Sequence, residues 1–555
     1  MTAAMLEGHG GALAVAAARR HGVRAMFTLS GAHVFPLYDG AVKADPPLPL
    51  IDVRHEQTAV FAAEGTAKLT RTPGLAVLTA GPGVTNGISA VTTAHFNGSP
   101  VLILGGRAPT ARWGSGALQE LDHPPLLAPV TKRAATVTSV GRLAAEVDAA
   151  LRLACSPHRG PVFLDIPMDE LFSVATAPLP EPREQRPLEP DPEAIAGVAG
   201  LLARAERPVL VLGSDVWAGG AEQAARRAAT ALGLPVIANG MGRGVLAAGD
   251  GLLVTRARSL AFGTADLVLV VGAPLDFRLG YGSFGGRDGG SPPAKVVHVV
   301  DAPSELAAHV ELAGAVSSDL GLALDGLVAA FETERERAGG TWPEWLQRLR
   351  GAAKDAEEGD RALLESDAEP IHPARVYGEL RRVLDDEAVV IGDGGDFVSF
   401  AGRFLEPAQP GCWLDPGPYG CLGTGLGYAI AARLARPSSQ VVLLLGDGAA
   451  GLSLMDVDTL VRHRLPVVLV CGNNGIWGLE KHPMQAMYGY DVAADLQPAC
   501  RYDQVVAALG GAGELVTAPA DLGPALRRAF AAGVPYLVNV ATDPKIAYPR
   551  STTGI

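Results

Sequence analysis

The sequence lacks any apolar run that approaches the roughly 18 residues needed to cross a membrane as a helix. It also lacks a basic run, and its net charge of -13 argues against nucleic acid as a partner. Cysteine is scarce, with five residues in 555 and no C-x-x-C pair, which is typical of a reduced intracellular protein. The first ten residues carry neither the charged segment nor the apolar core of a secretory signal, so we expect a cytoplasmic location.

The length of 555 residues is too great for one hydrophobic core and predicts three domains. Short apolar runs alternate with helical patterns throughout, which predicts an α/β fold of three doubly wound parallel sheets. The predicted strands lie at 25–29, 50–53, 75–79, 101–104, 162–166, 208–213, 234–238, 266–272, 295–300, 388–391, 440–446, 466–472 and 536–540. The predicted divisions are a first domain at 1–175, a proline-rich linker at 176–190, a central domain at 191–335, a helical surface connection at 336–370, a third domain at 371–545 and a tail at 546–555.

Polar residues follow two of these strands in the third domain. Asp447 comes directly after the strand predicted at 440–446, and Asn474 comes just after the strand predicted at 466–472. Neighbouring parallel strands would bring both side chains to one edge of a sheet. A carboxylate and an amide oxygen suit Mg²⁺, and Gly448 leaves the start of the next helix open to a phosphate.

The Gly-Asp-Gly triplet that ends at Gly448 is followed after 24 residues by Asn473-Asn474. This spacing resembles the diphosphate-anchoring motif of thiamine diphosphate (ThDP) enzymes, whereas the triplet alone is compatible with an ordinary strand end. The similarity extends over nearly the whole chain and points to the group of acetohydroxyacid synthases, oxalyl-CoA decarboxylases and 2-hydroxyacyl-CoA lyases. It implies Mg²⁺ bound by Asp447, Asn474 and the Ile476 carbonyl. The cofactor-binding residues it implies are Pro82, Asn86, Gly395, Gly420, Leu422, Gly446, Gly448, Ala449 and Ile476.

A glutamate lies at a predicted helix start in the first domain, within Arg54-His55-Glu56-Gln57. The helix dipole favours a carboxylate at this position, and that effect alone could account for Glu56. The stretch also resembles the H-E-x-x-A motif of ThDP enzymes, which implies that Glu56 hydrogen-bonds the pyrimidine ring and drives its imino tautomer. The loop 81–87 is similar to the family's G-P-G-x-T-N, although a tight strand-to-helix turn explains its glycines equally well.

Two further stretches resemble substrate-contacting segments of the same enzymes. Gln119 lies where relatives reach the reacting carbon, and Leu118 would line the pocket beside it. Glu480 resembles the acid/base glutamate of 2-hydroxyacyl-CoA lyases, with an exposed charged pair as the alternative. Leu479 and Leu118 would limit the size of the substrate.

In the central domain, Arg258 and Ser259 are similar to the oxalyl-CoA decarboxylase side of the group, which implies a nucleotide such as ADP, with Asp301 beside it. The G-M-x-G-x-H signature with which synthases cradle FAD is missing, so FAD is not expected. Arg278 nevertheless falls where synthases place an arginine that meets the substrate carboxylate. A solvated surface charge is the alternative for Arg278.

The resemblance implies a small-molecule substrate, either an acyl-CoA or a 2-oxo acid. We expect a lyase that reversibly cleaves a short 2-hydroxyacyl-CoA to formyl-CoA and an aldehyde or ketone. Pro483 stands where synthases carry a tryptophan that selects the second 2-oxo acid, which favours this hypothesis. The alternatives are an acetolactate synthase-like carboligase and a catalytically silent structural or regulatory paralogue. Since the family's active site lies between subunits, the resemblance also implies a dimer at least, and more specifically a dimer of dimers.

Overall fold

The computed structural model describes residues 4–182, 185–286, 292–338 and 342–549. Parts of both predicted linkers, five residues of the predicted central domain, and residues 550–555 of the predicted tail lie outside these ranges. Among the described residues, no helix is both long and apolar enough to span a membrane.

From residue 4 onward, the first α/β unit holds eight strands and seven α-helices. Its strands are β1 (Ala4–His9), β2 (Met26–Thr28), β3 (Leu50–Asp52), β4 (Gly74–Leu78), β5 (Val101–Arg107), β6 (Arg133–Thr136), β7 (Val162–Pro167) and β8 (Val174–Leu179). Its helices are α1 (Gly10–Arg20), α2 (Phe35–Lys43), α3 (Glu56–Thr70), α4 (Pro82–Phe96), α5 (Pro124–Leu127), α6 (Leu143–Cys155) and α7 (Met168–Phe172). Six strands form a parallel sheet in the order β3-β2-β4-β5-β7-β6, while β1 pairs with β8 in an antiparallel ribbon.

In the described residues 185–286 and 292–338, the second unit contains five strands and five α-helices. Its strands are β9 (Pro208–Leu212), β10 (Val236–Ala238), β11 (Leu267–Val271), β12 (Lys295–Val300) and β13 (Gly314–Ser317). Its helices are α8 (Pro192–Ala203), α9 (Ser214–Ala218), α10 (Glu222–Leu232), α11 (Arg258–Thr264) and α12 (Leu320–Ala338). The parallel order β10-β9-β11-β12-β13 reverses direction between β9 and β11, the point at which open α/β sheets bind ligands.

The third unit contains the metal-ligand strands predicted from the sequence. Its strands are β14 (Val389–Asp393), β15 (Trp413–Leu414), β16 (Val441–Gly446), β17 (Val468–Asn473), β18 (Ala512–Val516) and β19 (Tyr536–Ala541). Its helices are α13 (Pro343–Leu364), α14 (Pro373–Val383), α15 (Asp396–Phe404), α16 (Gly425–Ala435), α17 (Asp447–Ser453), α18 (Val457–Arg462), α19 (Gly478–Tyr488), α20 (Tyr502–Ala508) and α21 (Pro519–Ala531). The strands are parallel in the order β15-β14-β16-β17-β19-β18. The predicted fold of three doubly wound parallel sheets is therefore confirmed.

The segment predicted as a helical surface connection is more buried than its charge suggests. Helix α13 places Trp345 and Leu349 in the hydrophobic core of the second unit, and the Trp345 indole N–H donates to the Pro208 carbonyl at 3.0 Å. On the same helix, Asp360 is buried and pairs with Arg256 of the second unit and Arg403 of the third. The helix thus joins the second and third units instead of lying free on the surface.

The first and third units pack against each other along α3 and α16. Phe61 meets the Tyr428 ring edge to face, with centroids 6.2 Å apart. The Tyr428 hydroxyl donates to the buried Glu64 carboxylate at 2.9 Å. A Cβ on Gly427 would lie 2.5 Å from that of Phe61, so only glycine allows this helix approach. The contact fixes the two units relative to each other within one chain.

Candidate active site

The strand pair that leads to the predicted metal ligands has the expected geometry. Strands β16 and β17 are parallel neighbours, with Gly446 opposite Gly472. Asp447 begins α17 directly after β16, and Asn474 directly follows β17. Both side chains therefore lie at the carboxyl edge of the sheet, as the sequence predicts.

The Asp447 carboxylate is held in a dry environment, with 3% of the residue exposed. It accepts hydrogen bonds from the backbone N–H groups of Gly475 at 2.6 Å and Gly448 at 3.0 Å. Burial raises the pKa of Asp447 to about 6, although these two N–H groups act in the opposite direction. A buried carboxylate next to the Asn474 amide oxygen is stabilised by a hard divalent cation, so these donors fit Mg²⁺.

Most of the predicted site residues line one cavity of about 490 Å³ between the second and third units. The sequence-predicted residues in its wall are Arg278, Gly395, Gly420, Leu422, Gly446, Asp447, Gly448, Ala449, Asn474, Ile476, Leu479 and Glu480. The volume lies within the range of about 300–1,000 Å³ that is usual for cofactor and ligand pockets. The cavity is therefore large enough to hold the diphosphate end of a cofactor next to Asp447.

Asp393, which the sequence analysis missed as a functional residue, anchors the loop that carries Gly420 and Leu422. It ends β14, and its buried carboxylate accepts from the backbone N–H groups of Gly423 at 3.0 Å and Gly425 at 2.9 Å. Burial raises the pKa of Asp393 to about 6 against the effect of these two bonds. The sequence did carry a signal for Asp393, because a Gly-Asp-Gly triplet at 392–394 spans the end of β14 as another at 446–448 spans the end of β16.

Arg278 lies in the wall of the same cavity, with 22% of its side chain exposed. Its Nε and Nη2 donate to Asp276 Oδ2 at 3.0 and 2.7 Å. This pairing uses one edge of the guanidinium and fixes the direction in which the side chain points. Arg278 is therefore partly buried and paired, and its contact with a substrate carboxylate stays a prediction.

The predicted residues of the first unit form a separate group around Glu56. Glu56 is the first residue of α3, is 7% exposed, and accepts a hydrogen bond from Asn86 Nδ2 at 3.0 Å. The loop that begins α4 at Pro82 runs beside it, since a Cβ on Gly83 would lie 3.8 Å from Glu56 Oε1. Gln119 packs against Gly81 of this loop.

Within the described part of one chain, the Glu56 group and the Asp447 group do not share a cavity. Neither Glu56 nor Gln119 lines the 490 Å³ space, and Leu118 is 78% exposed. We refer to the group around Asp447 as the metal half-site and to the group around Glu56 as the glutamate half-site.

Asp456 connects these half-sites within the chain. It follows α17 in the third unit and is buried. Its carboxylate accepts from the Arg54 backbone N–H at 2.7 Å and from the Thr58 hydroxyl at 2.6 Å. Because Arg54 and Thr58 flank Glu56, Asp456 fixes the start of α3. No sequence signal could reveal a contact between residues about 400 positions apart.

The three residues predicted to hold a nucleotide are absent from the wall of the 490 Å³ cavity. Arg258 donates to the backbone carbonyl of Arg278, and Ser259 follows it at the start of α11. Asp301 lies elsewhere, with its carboxylate 2.9 Å from His158 Nδ1.

A second cavity of about 740 Å³ lies near Asp301, at the reversal point of the second sheet. Asp215, which follows β9, and Gly272, which follows β11, are in its wall together with His158. Burial raises the pKa of Asp215 to about 6. Burial lowers the pKa of His158, but the carboxylates of Asp215 and Asp301 outweigh it and raise that pKa to about 9.

Parallel sheets with a metal-ligating carboxylate at a carboxyl edge are typical of α/β enzymes that bind a cofactor at that edge. Comparison with protein families identifies the class. Three family models match in succession: the N-terminal thiamine pyrophosphate-binding domain at residues 8–126, the central domain at 195–327 and the C-terminal thiamine pyrophosphate-binding domain at 393–540.

Comparison with individual proteins points to the same family as the family models. The chain is 50% identical to a probable acetolactate synthase of Mycobacterium bovis over 98% of its length and 97% of the relative. The same figures hold for the acetolactate synthase large subunit IlvG of Mycobacterium tuberculosis. The present chain is also 36% identical to 2-hydroxyacyl-CoA lyase 2 of Mus musculus, over 88% of this chain and 82% of that protein. The chain therefore belongs to the thiamine pyrophosphate enzyme family.

Proposed function

We propose that this enzyme is a ThDP- and Mg²⁺-dependent carboligase of the acetolactate synthase type. It would decarboxylate one 2-oxo acid and join the remaining acyl group to a second 2-oxo acid. The observation that carries the proposal is Arg278, held by Asp276 in the wall of the cavity that contains Asp447. A directed guanidinium suits a substrate carboxylate, and the names of the two mycobacterial relatives support the same reaction. This proposal replaces the lyase as the first hypothesis.

The residues of the metal half-site would hold the cofactor. Asp447, Asn474 and the Ile476 carbonyl would bind Mg²⁺ and, through it, the diphosphate. Leu422 would support the bent cofactor from one side, and the Gly420 carbonyl would accept a hydrogen bond from its amino group. When bound, ThDP supplies a thiazolium ring that takes up the electron pair of the breaking carbon–carbon bond.

The glutamate half-site would supply proton transfer and orientation. Glu56 would hold a proton at N1′ of the pyrimidine ring, and its burial keeps water from competing for that proton. Gln119 would orient the reacting carbon, and Arg278 would bind the substrate carboxylate.

A complete site in this proposal needs a second copy of the chain, because Glu56 and Asp447 lie in separate half-sites of one copy. A dimer supplies two complete sites, and we propose a dimer of dimers as the assembly. Mixing the inactive variants Glu56→Gln and Asp447→Ala during refolding tests the dimer. Each mixed dimer would contain one intact site, so roughly a quarter of wild-type activity should return. No recovery in demonstrated mixed dimers would show that the site lies within one chain.

Product analysis tests the reaction. Purified enzyme with ThDP, Mg²⁺ and pyruvate should form acetolactate, while the same enzyme with formyl-CoA and a ketone should form no 2-hydroxyacyl-CoA. Rapid formation of the acyl-CoA without acetolactate would contradict the carboligase. Inactivity with every donor would support the silent paralogue.

The 2-hydroxyacyl-CoA lyase remains the second candidate because of Glu480. This residue lines the 490 Å³ cavity beside Leu479, and the mouse relative carries the lyase name. In the lyase, Glu480 would accept the proton of the 2-hydroxyl group. Glu480→Gln should then lower the rate of acyl-CoA cleavage, less than Glu56→Gln does, because water can replace it in the transfer. If the enzyme is the carboligase, Glu480→Gln should leave the yield of acetolactate nearly unchanged.

The 740 Å³ cavity is our proposed location for a nucleotide such as ADP. Its place at the reversal point of the second sheet supports this proposal, as does the carboxylate of Asp215 in its wall, which suits a ribose hydroxyl group. Mass spectrometry of small molecules released from the purified protein tests it, and a cavity that releases no nucleotide and binds no added ADP would contradict it.

A further inference from the structure

A buried histidine of the first unit has no role in the site described above. His123 and its partner Asp165 both have fully buried side chains. His123 Nε2 lies 2.9 Å from the Gly81 backbone nitrogen, and its Nδ1 lies 2.9 Å from Asp165 Oδ2. Because a backbone N–H can only donate, Nε2 must be the acceptor, and the ring proton must be on Nδ1 facing Asp165. Asp165 therefore sets the tautomer that Gly81 requires.

The carboxylate end of this chain of contacts is fixed. Asp165 Oδ2 also accepts from Arg107 Nη1 at 2.9 Å, and the same nitrogen donates to Asp122 at 3.0 Å. The Arg107 guanidinium lies over the Trp113 ring, 3.8 Å from its centroid. Asp165 thus has little freedom to turn away from His123.

The other end of this series of contacts is the Gly81 turn, which lies against Gln119 of the glutamate half-site. Gly81 adopts φ 60° and ψ -114°, which only glycine reaches easily, and a Cβ there would lie 2.9 Å from the Gln119 Cβ. Gln119 also has a positive φ of 60°, unusual for a residue with a side chain. Its neighbour Glu120 holds this turn by accepting from the Gly114 N–H at 3.0 Å. Such backbone conformations persist only where the surroundings enforce them.

We propose that His123 is a positioning residue: with Asp165 it fixes the Gly81 turn and thereby the relative placement of Gln119 and Glu56. The meaning of that placement rests on the proposed function, since Gln119 and Glu56 act on substrate and cofactor only there. The turn itself is a property of the chain and can be measured without turnover.

Two substitutions of His123 distinguish the contact made by Nε2 from the contact made by Nδ1. In His123→Gln, the side-chain oxygen can reach the place of Nε2 and still accept from Gly81. In His123→Asn, the shorter amide reaches the place of Nδ1 and keeps only the contact with Asp165. His21→Asn is the matched control, because His21 forms a similarly buried 2.9 Å pair with Asp148 elsewhere in the same unit.

We expect His123→Asn to increase hydrogen exchange of the peptide 79–87 in the holoenzyme and to lower kcat by about 10- to 100-fold, because a misplaced turn misaligns both side chains. KM and ThDP affinity should change little. His123→Gln should stay near wild type in exchange and kcat, and so should His21→Asn.

The proposal would be overturned if His123→Gln and His123→Asn showed the same hydrogen exchange at 79–87 and the same kcat. It would also be overturned if His123→Asn and His21→Asn lost the same fraction of kcat. If neither His123 variant folds, Asp165→Ala decides. It removes the acceptor that holds the ring proton on Nδ1 and leaves the Arg107 guanidinium as a donor beside that nitrogen, which favours the tautomer whose Nε2–H opposes Gly81. Exchange at 79–87 should therefore rise, and unchanged exchange would overturn the proposal. If wild type turns over no 2-oxo acid, the proposed function fails, and hydrogen exchange still decides the role of His123.

Discussion

The metal half-site around Asp447 and the glutamate half-site around Glu56 are held in place by different means. Asp447 and Asn474 follow two adjacent strands of one sheet, so backbone pairing of β16 and β17 sets their separation. Glu56 begins a helix whose start is bound by Asp456 of the third unit. The metal half-site is thus built at the edge of a single sheet, whereas the glutamate half-site depends on contacts between residues distant in sequence.

The largest effect is expected for Glu56→Gln, which keeps the shape of the side chain and removes its capacity to exchange a proton. We expect kcat to fall by about 10³-fold, within the usual contribution of a positioned acid or base. ThDP affinity should stay within a few-fold of wild type, because the metal half-site is intact. Steady-state kinetics and calorimetric titration with ThDP measure the two quantities. Wild-type turnover in this variant would remove Glu56 from the mechanism.

Asp447→Ala should instead break the metal half-site. We expect the affinity for ThDP in the presence of Mg²⁺ to fall by about 100-fold, since a direct metal ligand should matter at least as much as the residues that support such ligands. In wild type, ThDP and Mg²⁺ should raise the thermal midpoint, and a chelator should reverse the rise. The Asp447→Ala protein should show neither change. A cofactor-dependent midpoint that persists in the variant would contradict the assignment.

Arg278→Gln tests substrate binding separately from cofactor binding. Loss of a charge-assisted contact is worth about 1.5–3 kcal/mol, so KM for pyruvate should rise by about 10- to 100-fold. The same variant should use a neutral aldehyde as acceptor as well as wild type does. Asp276→Asn should give a smaller rise in KM, because the guanidinium is retained but loses its direction. An unchanged KM in Arg278→Gln would count against a carboxylate substrate.

The smallest effect should come from Asp456→Asn, which weakens the contact between the two half-sites. An amide can accept from only one of the two donors, Arg54 N–H and Thr58 Oγ1, so kcat should fall by about 3- to 10-fold. Asp458→Asn, two residues further on and partly exposed, should leave kcat unchanged. Equal effects of the two substitutions would show that Asp456 has no special role in placing α3.

Sequence patterns predicted the interior of each sheet better than its edges. In the parallel sheets, the strands that had no predicted counterpart are β6, β13, β15 and β18, and each lies at an edge. An edge strand buries fewer side chains, as in β6, where all four residues are only partly buried, so its sequence need not contain an apolar run. The ribbon of β1 and β8 was missed for the same reason, and β8 extends into the segment predicted as a linker.

The shared sheet edge of Asp447 and Asn474 was predictable because both residues directly follow strands that can be recognised. Asp393 was missed although it carries the same signal as Asp447. The supports of the glutamate half-site carry no such signal. His123 and Asp165 lie 42 residues apart in the sequence, and Asp456 is far from Arg54 along the chain, so only the folded chain reveals these contacts.

The close helix contact at Phe61 and Gly427 also determines how the polypeptide could be divided. Cutting the chain into separately produced fragments would expose the Phe61 face of one fragment and the Tyr428 face of the other to water. Each fragment would then carry an apolar surface that favours aggregation or reassociation. Protein engineers who wish to exchange the catalytic halves between relatives would therefore need to transplant α3 and α16 together.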